Sequence, residues 1–174
     1  YAHRDEFNRS VNAKRANTKK CEYLFYYLNR TGYNGLCRFN RQGEFNVPFG
    51  RYRQIRYRRD FTDYCAVLSR WQFTFGDFER LKLDDTDFVY ADPPYDVNFT
   101  QYAPGGFDWD AQLRLGKWLA RHPGPVVTSN QATDRIMTLY KDLAFEVHVL
   151  EAPRMINRTG DRTPAHEILA WRNG

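Results

Sequence analysis

The feature that most constrains the fold is an apolar run followed directly by a stiff polar turn. Phe88-Val89-Tyr90-Ala91 has the composition of a buried strand, and Asp92-Pro93-Pro94-Tyr95 follows it without a spacer. Neither proline has a backbone N–H, so the hydrogen-bonded ladder cannot continue through them. The tetrapeptide is therefore expected at the C-terminal end of a strand, where open α/β sheets place their functional groups.

The same turn carries the chemistry of a nucleobase site. Asp92 supplies a carboxylate acceptor, Pro93 and Pro94 leave their carbonyl oxygens free to accept, and Tyr95 adds a flat aromatic face. A planar ring with an exocyclic amine fits such a site, because the face stacks the ring and the acceptors hold the amino hydrogens. The alternative is that the prolines simply end a strand and that Tyr95 packs, since short motifs also arise by chance.

Strands alternate with helices in the C-terminal part of the chain. Apolar periodicity predicts strands at residues 71–75, 88–91, 125–129, 145–150 and 167–171, with helices at residues 110–121 and 133–140. This alternation favours an α/β fold with a partly parallel sheet.

The N-terminal part has a different pattern. Residues 3–30 are predicted to be helical, and residues 29–50, rich in Gly and Asn, to form an ordered loop with a short hairpin. Residues 61–70 are predicted to form a short helix with Thr62 as its cap.

Charge is distributed unevenly along the chain. Residues 1–59 carry 14 Lys or Arg against 4 Asp or Glu, whereas the remaining residues carry 12 against 17. Tyr, Phe and Asn are interleaved with these basic residues and could stack on bases or read them. The asymmetry predicts a basic surface that faces a polyanion, joined to a more neutral body, and a solvated basic face is the alternative.

Composition argues against several other classes. The sequence has no run of 18 apolar residues, so no membrane span is expected. Its 3 cysteines and 4 histidines are dispersed without metal-binding spacing, which argues against a metal site and for a reducing compartment.

Several short segments match one known pattern in order, and they are residues 33–38, 43–50, 76–78, 92–95, 99–102, 129–130, 154–157 and 167–169. Together they resemble the Dam-type DNA adenine methyltransferases, which include GATC-specific enzymes. One such match is weak evidence, whereas an ordered series is specific. The resemblance implies part of a Rossmann-like methyltransferase sheet in residues 71–174, and a helical and hairpin DNA target-recognition region in residues 1–70.

The resemblance also implies the reaction. S-adenosylmethionine would donate a methyl group to the 6-amino group of an adenine that is flipped out of double-stranded DNA. Asp92 and the Pro93 carbonyl would accept the amino hydrogens, and Tyr95 would stack on the base. Asp77 and Phe78 resemble residues that contact the cofactor, which Asp92 also borders.

For DNA recognition, the resemblance implies that Arg38 reads a guanine through its O6 and N7 atoms. A phosphate contact is the alternative, because phosphate contacts are the commoner kind. The other implied DNA-contact residues are Tyr33, Asn34, Leu36 and Pro48. Arg51 begins an arginine-rich stretch that is expected to hold phosphates, with Arg53, Arg56, Arg58 and Arg59, and with Arg30 before the loop.

The family pattern begins with a basic strand, a Gly-rich turn and an acidic residue for the cofactor ribose, and none of these occurs here. We therefore expect the C-terminal portion of a monomeric, cytoplasmic enzyme of a bacterial or phage-infected cell, with restriction-modification among its roles. One alternative is a truncated DNA-binding remnant that cannot methylate. Another is an amino methyltransferase for cytosine, RNA or protein glutamine, against which Asp92 and the loop at residues 33–50 argue.

Overall fold

The computed structural model describes residues 1–13, 18–96, 107–152 and 165–173. The chain divides into two compact units, Tyr1–Thr74 and Phe75–Gly174. Two of the matched segments, residues 99–102 and 154–157, lie outside the described residues.

Two helices begin the first unit. Helix α1 spans Ala2–Asn12 and helix α2 spans Lys19–Thr31, so two helices cover most of the stretch at residues 3–30 that is predicted to be helical. Thr18 caps α2, because its hydroxyl accepts a hydrogen bond from the Cys21 N–H at 3.3 Å and satisfies a free donor of the first turn. The apolar faces of both helices meet the following loop in a core of Phe7, Cys21, Leu24, Leu28, Phe45 and Val47.

The loop after α2 folds back as a hairpin, as the sequence predicts. Antiparallel bridges join Phe39 to Phe45 and Gly32 to Phe49. Phe45 is 1% exposed, so its apolar side chain anchors the returning strand of the hairpin in the core of the unit.

The predicted strand at residues 71–75 is wrong. The side chains of Trp71, Phe73 and Phe75 are 60%, 72% and 106% exposed. Alternation of apolar and polar residues defines a strand only when a neighbour supplies its hydrogen bonds. Within the described part of the chain, this segment pairs with no other strand.

Helix α3 spans Thr62–Leu68, where a short helix is predicted, but Thr62 is not its cap. Phe61 occupies the cap position and makes no side-chain cap bond. The Thr62 hydroxyl instead donates to the Asp60 carboxylate at 2.6 Å, and the Thr62 N–H donates to the same oxygen at 2.9 Å. The carboxylate of Asp60, which precedes the helix, therefore accepts a hydrogen bond from the free backbone N–H of the first helical residue.

The second unit is a mixed sheet with helices, consistent with the α/β fold that the sequence predicts. Its strands are β1 (Val89–Ala91), β2 (Val126–Gln131), β3 (Glu146–Ala152) and β4 (Ala165–Arg172). They lie in the order β1-β2-β4-β3, with β1 parallel to β2 and the other two pairs antiparallel.

Helix α4 (Trp109–Arg121) lies between β1 and β2 in the sequence, and helix α5 (Asp134–Asp142) lies between β2 and β3. Both helices pack their apolar faces on the sheet. The buried residues of this core are Val89, Leu115, Leu119, Val126, Ile136, Tyr140, Phe145, Ile168 and Ala170. The parallel pair β1 and β2 brings the C-terminal ends of both strands to the same edge of the sheet, which creates the candidate site.

Candidate functional site

The turn Asp92–Pro93–Pro94–Tyr95 leaves β1 directly beside the end of β2. Ala91 pairs with Thr128 in the parallel ladder, so the residues that follow each strand become neighbours. The Ser129 hydroxyl donates to Asp92 Oδ1 at 2.7 Å, and Ser129 is only 7% exposed. One oxygen of the exposed Asp92 carboxylate is therefore fixed by the sheet, and among the described residues no side chain or backbone group donates to the other.

A buried chain of amides holds the rest of the turn. The Pro94 carbonyl accepts a hydrogen bond from Gln112 Nε2 at 2.8 Å, and Gln112 Oε1 accepts one from Asn130 Nδ2 at 3.0 Å. Asn130 Oδ1 in turn accepts the Asp96 N–H at 3.0 Å. The side chains of Gln112 and Asn130 are 1% and 0% exposed, so these bonds are shielded from water.

This chain of bonds leaves the neighbouring carbonyl available. Pro94 is tied back to α4, whereas the Pro93 carbonyl oxygen accepts no hydrogen bond from any described residue. Pro93 and Asp92 thus offer two open acceptors on one rigid turn. Such a pair can hold the two hydrogens of an exocyclic amine.

Tyr95 is half-buried, and its hydroxyl donates to Glu167 Oε2 on β4 at 3.1 Å. Burial raises the pKa of the Tyr95 phenol, the Ser129 hydroxyl lowers it, and the Glu167 carboxylate raises it further. The phenol therefore stays neutral at physiological pH, and its bond to β4 restrains the aromatic ring beside the turn.

Asp96 fastens the end of the turn to the start of α5. Its carboxylate accepts the Thr133 hydroxyl at 2.9 Å and Arg135 Nε at 2.6 Å. The hydrogen bonds from Arg135 are the main reason that the pKa of Asp96 is lowered. The Arg135 guanidinium also lies 4.6 Å from the centre of the Trp109 ring, so it links α5 to α4.

Asp77 and Phe78 begin a short 3-10 turn, Phe78–Arg80, that precedes β1. The Asp77 carboxylate accepts the Glu79 N–H at 3.0 Å and Arg114 Nη2 at 2.7 Å, and both interactions lower its pKa. The Arg114 guanidinium also lies 4.8 Å from the centre of the half-buried Phe78 ring. These two residues therefore combine an ionised carboxylate with an aromatic ring.

Helix α4 contacts both the turn that follows β1 and the 3-10 turn that begins at Asp77. Gln112 contacts Pro94, and Arg114 contacts Asp77. Sequence reasoning missed both α4 residues. The sequence did contain a signal for Gln112, because it lies on the apolar face three residues before the buried Leu115, where a polar side chain requires a partner.

In the first unit, the hairpin presents the residues that were expected to contact DNA. Tyr33 and Leu36 are 51% and 39% exposed, although both are large and apolar. Asn34 adopts a left-handed conformation with φ of 52°, and the Tyr33 N–H donates to the Pro48 carbonyl at 2.9 Å. The structure thus brings these four residues to one end of the loop.

Arg38 lies on the outgoing strand of the hairpin and contacts Asn46 on the returning strand. Arg38 Nε donates to Asn46 Oδ1 at 2.8 Å. Arg51 is exposed and has φ of 51°, at the point where the chain leaves the hairpin.

The arginine-rich stretch after Arg51 has no regular secondary structure and is attached to α2. The Arg30 guanidinium donates to the Arg56 carbonyl at 2.8 Å and 3.2 Å. The Tyr26 hydroxyl bonds both the carbonyl and the N–H of Arg58, each at 3.0 Å. Arg30 therefore supports the backbone of the stretch, a role that the expected phosphate contact did not include.

The described residues contain neither a cluster of metal ligands nor a membrane-spanning helix. No group of three or more His, Cys, Asp or Glu side chains could hold a metal ion there. No helix in the described ranges is long and apolar enough to cross a membrane.

Comparison with known proteins places the chain in one enzyme family. The family model for D12 class N6 adenine-specific DNA methyltransferases matches residues 1–156. The chain is 36% identical to the retron Ec67 DNA adenine methylase of Escherichia coli, over 98% of this chain and 60% of that protein. It is 35% identical to the DNA adenine methylase of Escherichia coli K12, over 98% of this chain and 63% of that protein.

A third relative is the type II methyltransferase M.MjaIII of Methanocaldococcus jannaschii, which is 35% identical over 93% of this chain and 59% of its own length. The chain therefore spans about three fifths of the length of the relatives that it matches.

Proposed function

This chain belongs to the D12 class N6 adenine-specific DNA methyltransferase family, and we propose that the protein methylates the 6-amino group of adenine in double-stranded DNA. The proposed donor is S-adenosylmethionine and the proposed target site is GATC. The observation that carries the proposal is the turn after β1, where among the described residues nothing donates to the second oxygen of Asp92 or to the Pro93 carbonyl, while Ser129 and Gln112 hold the groups beside them.

The two acceptors would act by orienting the amine. Adenine N6 carries two hydrogens, and hydrogen bonds to both would fix the direction of its lone pair. Asp92 also places negative charge where positive charge develops on the nitrogen during the transfer. Tyr95 would stack on the adenine ring after the base leaves the duplex, since its hydroxyl is already held by Glu167.

The residues near the 3-10 turn fit the proposed cofactor. An ionised Asp77 carboxylate can accept an amino hydrogen of a purine, and Phe78 offers an aromatic contact. When bound, S-adenosylmethionine would supply the methyl group. The Glu79 N–H, and after it Arg114, lower the pKa of Asp77, so its carboxylate is ionised at neutral pH, which suits an acceptor for a neutral amine.

The hairpin would make the sequence-specific contacts. Tyr33, Asn34, Leu36 and Pro48 are the proposed base contacts at the end of the loop, and Arg38 is the proposed reader of a guanine. Arg51 and the arginines that follow it would hold phosphates. The proposed substrate implies a protein that works in the cytoplasm of a bacterial or phage-infected cell, and we propose that it acts as a monomer.

A methylation assay on the full-length protein tests the proposal. A duplex with one GATC site is incubated with S-adenosylmethionine that carries a labelled methyl group, and the digested nucleosides are separated. We expect label in N6-methyladenine. Label in cytosine, or DNA binding with no transfer at all, would refute the proposed activity, and the second result would favour a DNA-binding remnant.

Asp92→Ala supplies the matching test of the mechanism. The single-turnover rate should fall by at least about 100-fold, a typical loss for a preorganised polar group, while DNA affinity changes little. A near-normal rate in this variant would remove Asp92 from the mechanism.

A further inference from the structure

Asn46 holds the guanidinium of Arg38 from the opposite strand of the hairpin. Arg38 Nε donates to Asn46 Oδ1 at 2.8 Å, and Arg38 Nη2 donates to the Asn46 main-chain oxygen at 3.2 Å. The Asn46 N–H donates to the Arg38 carbonyl at 3.1 Å. Both the backbone and the side chain of Arg38 are therefore attached to the same residue.

These bonds occupy one edge of the guanidinium and leave another free. The planar group carries N–H donors on Nε, Nη1 and Nη2 in a fixed fork. Asn46 engages the Nε–Nη2 edge, and among the described residues nothing accepts from Nη1. The end of the fork, formed by Nη1 and the second hydrogen of Nη2, thus remains available for two parallel hydrogen bonds.

Asn46 is also chemically suited to leave the free end of the Arg38 guanidinium able to donate hydrogen bonds. Asn46 accepts through neutral amide oxygens, so the guanidinium keeps its full positive charge, whereas a carboxylate partner would have neutralised it. A guanine presents O6 and N7 side by side as acceptors, and a guanidinium with its end free matches that pair.

The position of Asn46 is itself fixed by its neighbours in the hairpin. The preceding residue, Phe45, is 1% exposed, and both its backbone groups bond the side chain of Asn8 on α1, at 2.8 Å and 3.1 Å. The following residue, Val47, is 3% exposed. The backbone of Asn46 is thus held between two buried residues, and from there its two oxygens restrain an otherwise flexible arginine.

We propose that Asn46 is a positioning residue for base recognition: it orients Arg38 so that the end of the guanidinium reads guanine. This inference rests on the proposed function, in which Arg38 contacts a base. A phosphate contact would tolerate many orientations of an arginine, so a fixed edge is useful for reading a base and dispensable for holding a phosphate.

The test compares Asn46→Ala and Asn46→Asp with the unmodified full-length protein. Binding is measured on a cognate duplex, on duplexes in which each guanine in turn is replaced by adenine or 7-deazaguanine, and on an unrelated duplex. Asn46→Ala should reduce discrimination at one guanine by about fivefold or more. Affinity for the unrelated duplex should stay unchanged.

The second variant separates orientation from charge and from folding. Asn46→Asp retains the Oδ1 acceptor and adds a negative charge, so overall affinity should fall while discrimination at that guanine is retained. Arg41→Ala, at the exposed tip of the same hairpin, is the control for a cation that no described residue holds in this way, and it should weaken binding to all duplexes equally.

Two results would overturn the inference, and they are distinguishable. If Arg38→Ala lowers discrimination at one guanine but Asn46→Ala does not, Asn46 has no positioning role and the proposed function stands. If Arg38→Ala weakens binding uniformly on all duplexes, Arg38 holds phosphate, and both the role of Asn46 and that part of the proposed function are wrong.

Discussion

At the residue scale, the two oxygens of the Asp92 carboxylate have different surroundings. Ser129 donates to Oδ1 at 2.7 Å, and the Tyr90 hydroxyl donates to Ser129 at 3.3 Å. Ser129 is buried, so its hydroxyl is shielded from water although the Asp92 carboxylate is exposed. The Ser129 hydroxyl consequently fixes the orientation of the Asp92 carboxylate and leaves its second oxygen open for the substrate that we propose.

We expect Ser129→Ala to slow methylation without weakening DNA binding. The variant removes the bond that orients Asp92, so the proposed catalytic step should lose orientation while the proposed DNA contacts of the first unit are unaffected. The single-turnover rate should fall by about tenfold with an unchanged KM for DNA. Ser129→Thr, which keeps a hydroxyl, is the control and should retain most of the rate, whereas a normal rate in Ser129→Ala would contradict the role.

At the element scale, helix α4 supports the site through a polar residue on its apolar face. Gln112 is 1% exposed and bonds both the Pro94 carbonyl and the Asn130 side chain. A buried amide in this position contributes to stability only because both of its ends are paired. The helix therefore holds the turn after β1 in one conformation.

Gln112→Leu should destabilise the protein although the two side chains have similar volumes. The substitution leaves the buried Asn130 Nδ2 and the carbonyl of the half-buried Pro94 without these partners, which should lower the free energy of unfolding by about 1–3 kcal/mol. Urea denaturation measures this change. Gln54→Leu, at an exposed position in the first unit, is the control and should have little effect; an equal effect of both variants would argue against the network.

The contact between the turn and helix α5 should make stability depend on pH. The pKa of Asp96 is lowered, mainly by Arg135, so the folded state favours the ionised carboxylate. A lowered pKa stabilises the folded state above the ordinary aspartate range, and this contribution is lost as pH falls through the folded-state pKa.

Asp96→Asn should therefore lower the free energy of unfolding at neutral pH, and its difference from the unmodified protein should shrink below about pH 4. Denaturation curves at several pH values measure this difference. The exposed Asp85→Asn provides a comparison that should show no such trend. A difference that stayed constant from pH 7 to about pH 3 would show that the ion pair is not its source.

At the scale of the whole molecule, charge is divided between two parts of the chain. Residues 1–59 contain 14 Lys or Arg and 4 Asp or Glu, and the arginines at positions 51–59 are exposed. Contacts between exposed cations and phosphates release counterions from DNA, so their contribution to affinity falls as salt concentration rises. The basic first unit should therefore dominate the salt dependence of DNA binding.

Arg53→Gln should weaken binding to all duplexes equally and reduce the slope of log affinity against log salt by about one. Fluorescence anisotropy over a range of salt concentrations would measure that slope. Lys141→Gln, which removes an exposed cation from the second unit, should leave the slope unchanged. If the two variants change the slope equally, the asymmetry of charge does not govern binding.

The sequence by itself determined most of the helices and strands and the position of the candidate site after a strand. The helices α2, α4 and α5 and the four strands follow from local apolar periodicity, and the prolines of the turn Asp92–Tyr95 must end a strand wherever that strand lies. These features depend on residues close together in the chain. For the same reason the tip of the hairpin was predictable from its Gly and Asn residues.

Only the tertiary structure decided how distant residues support one another. Ser129 reaches Asp92 and Asn130 reaches Asp96 because β1 pairs in parallel with β2, a contact between residues far apart in sequence. The segment at residues 71–75 failed as a strand for the same reason, since its alternation was present but no strand among the described residues pairs with it. Strand pairing and buried amide contacts depend on what a fold brings together, which local pattern does not encode.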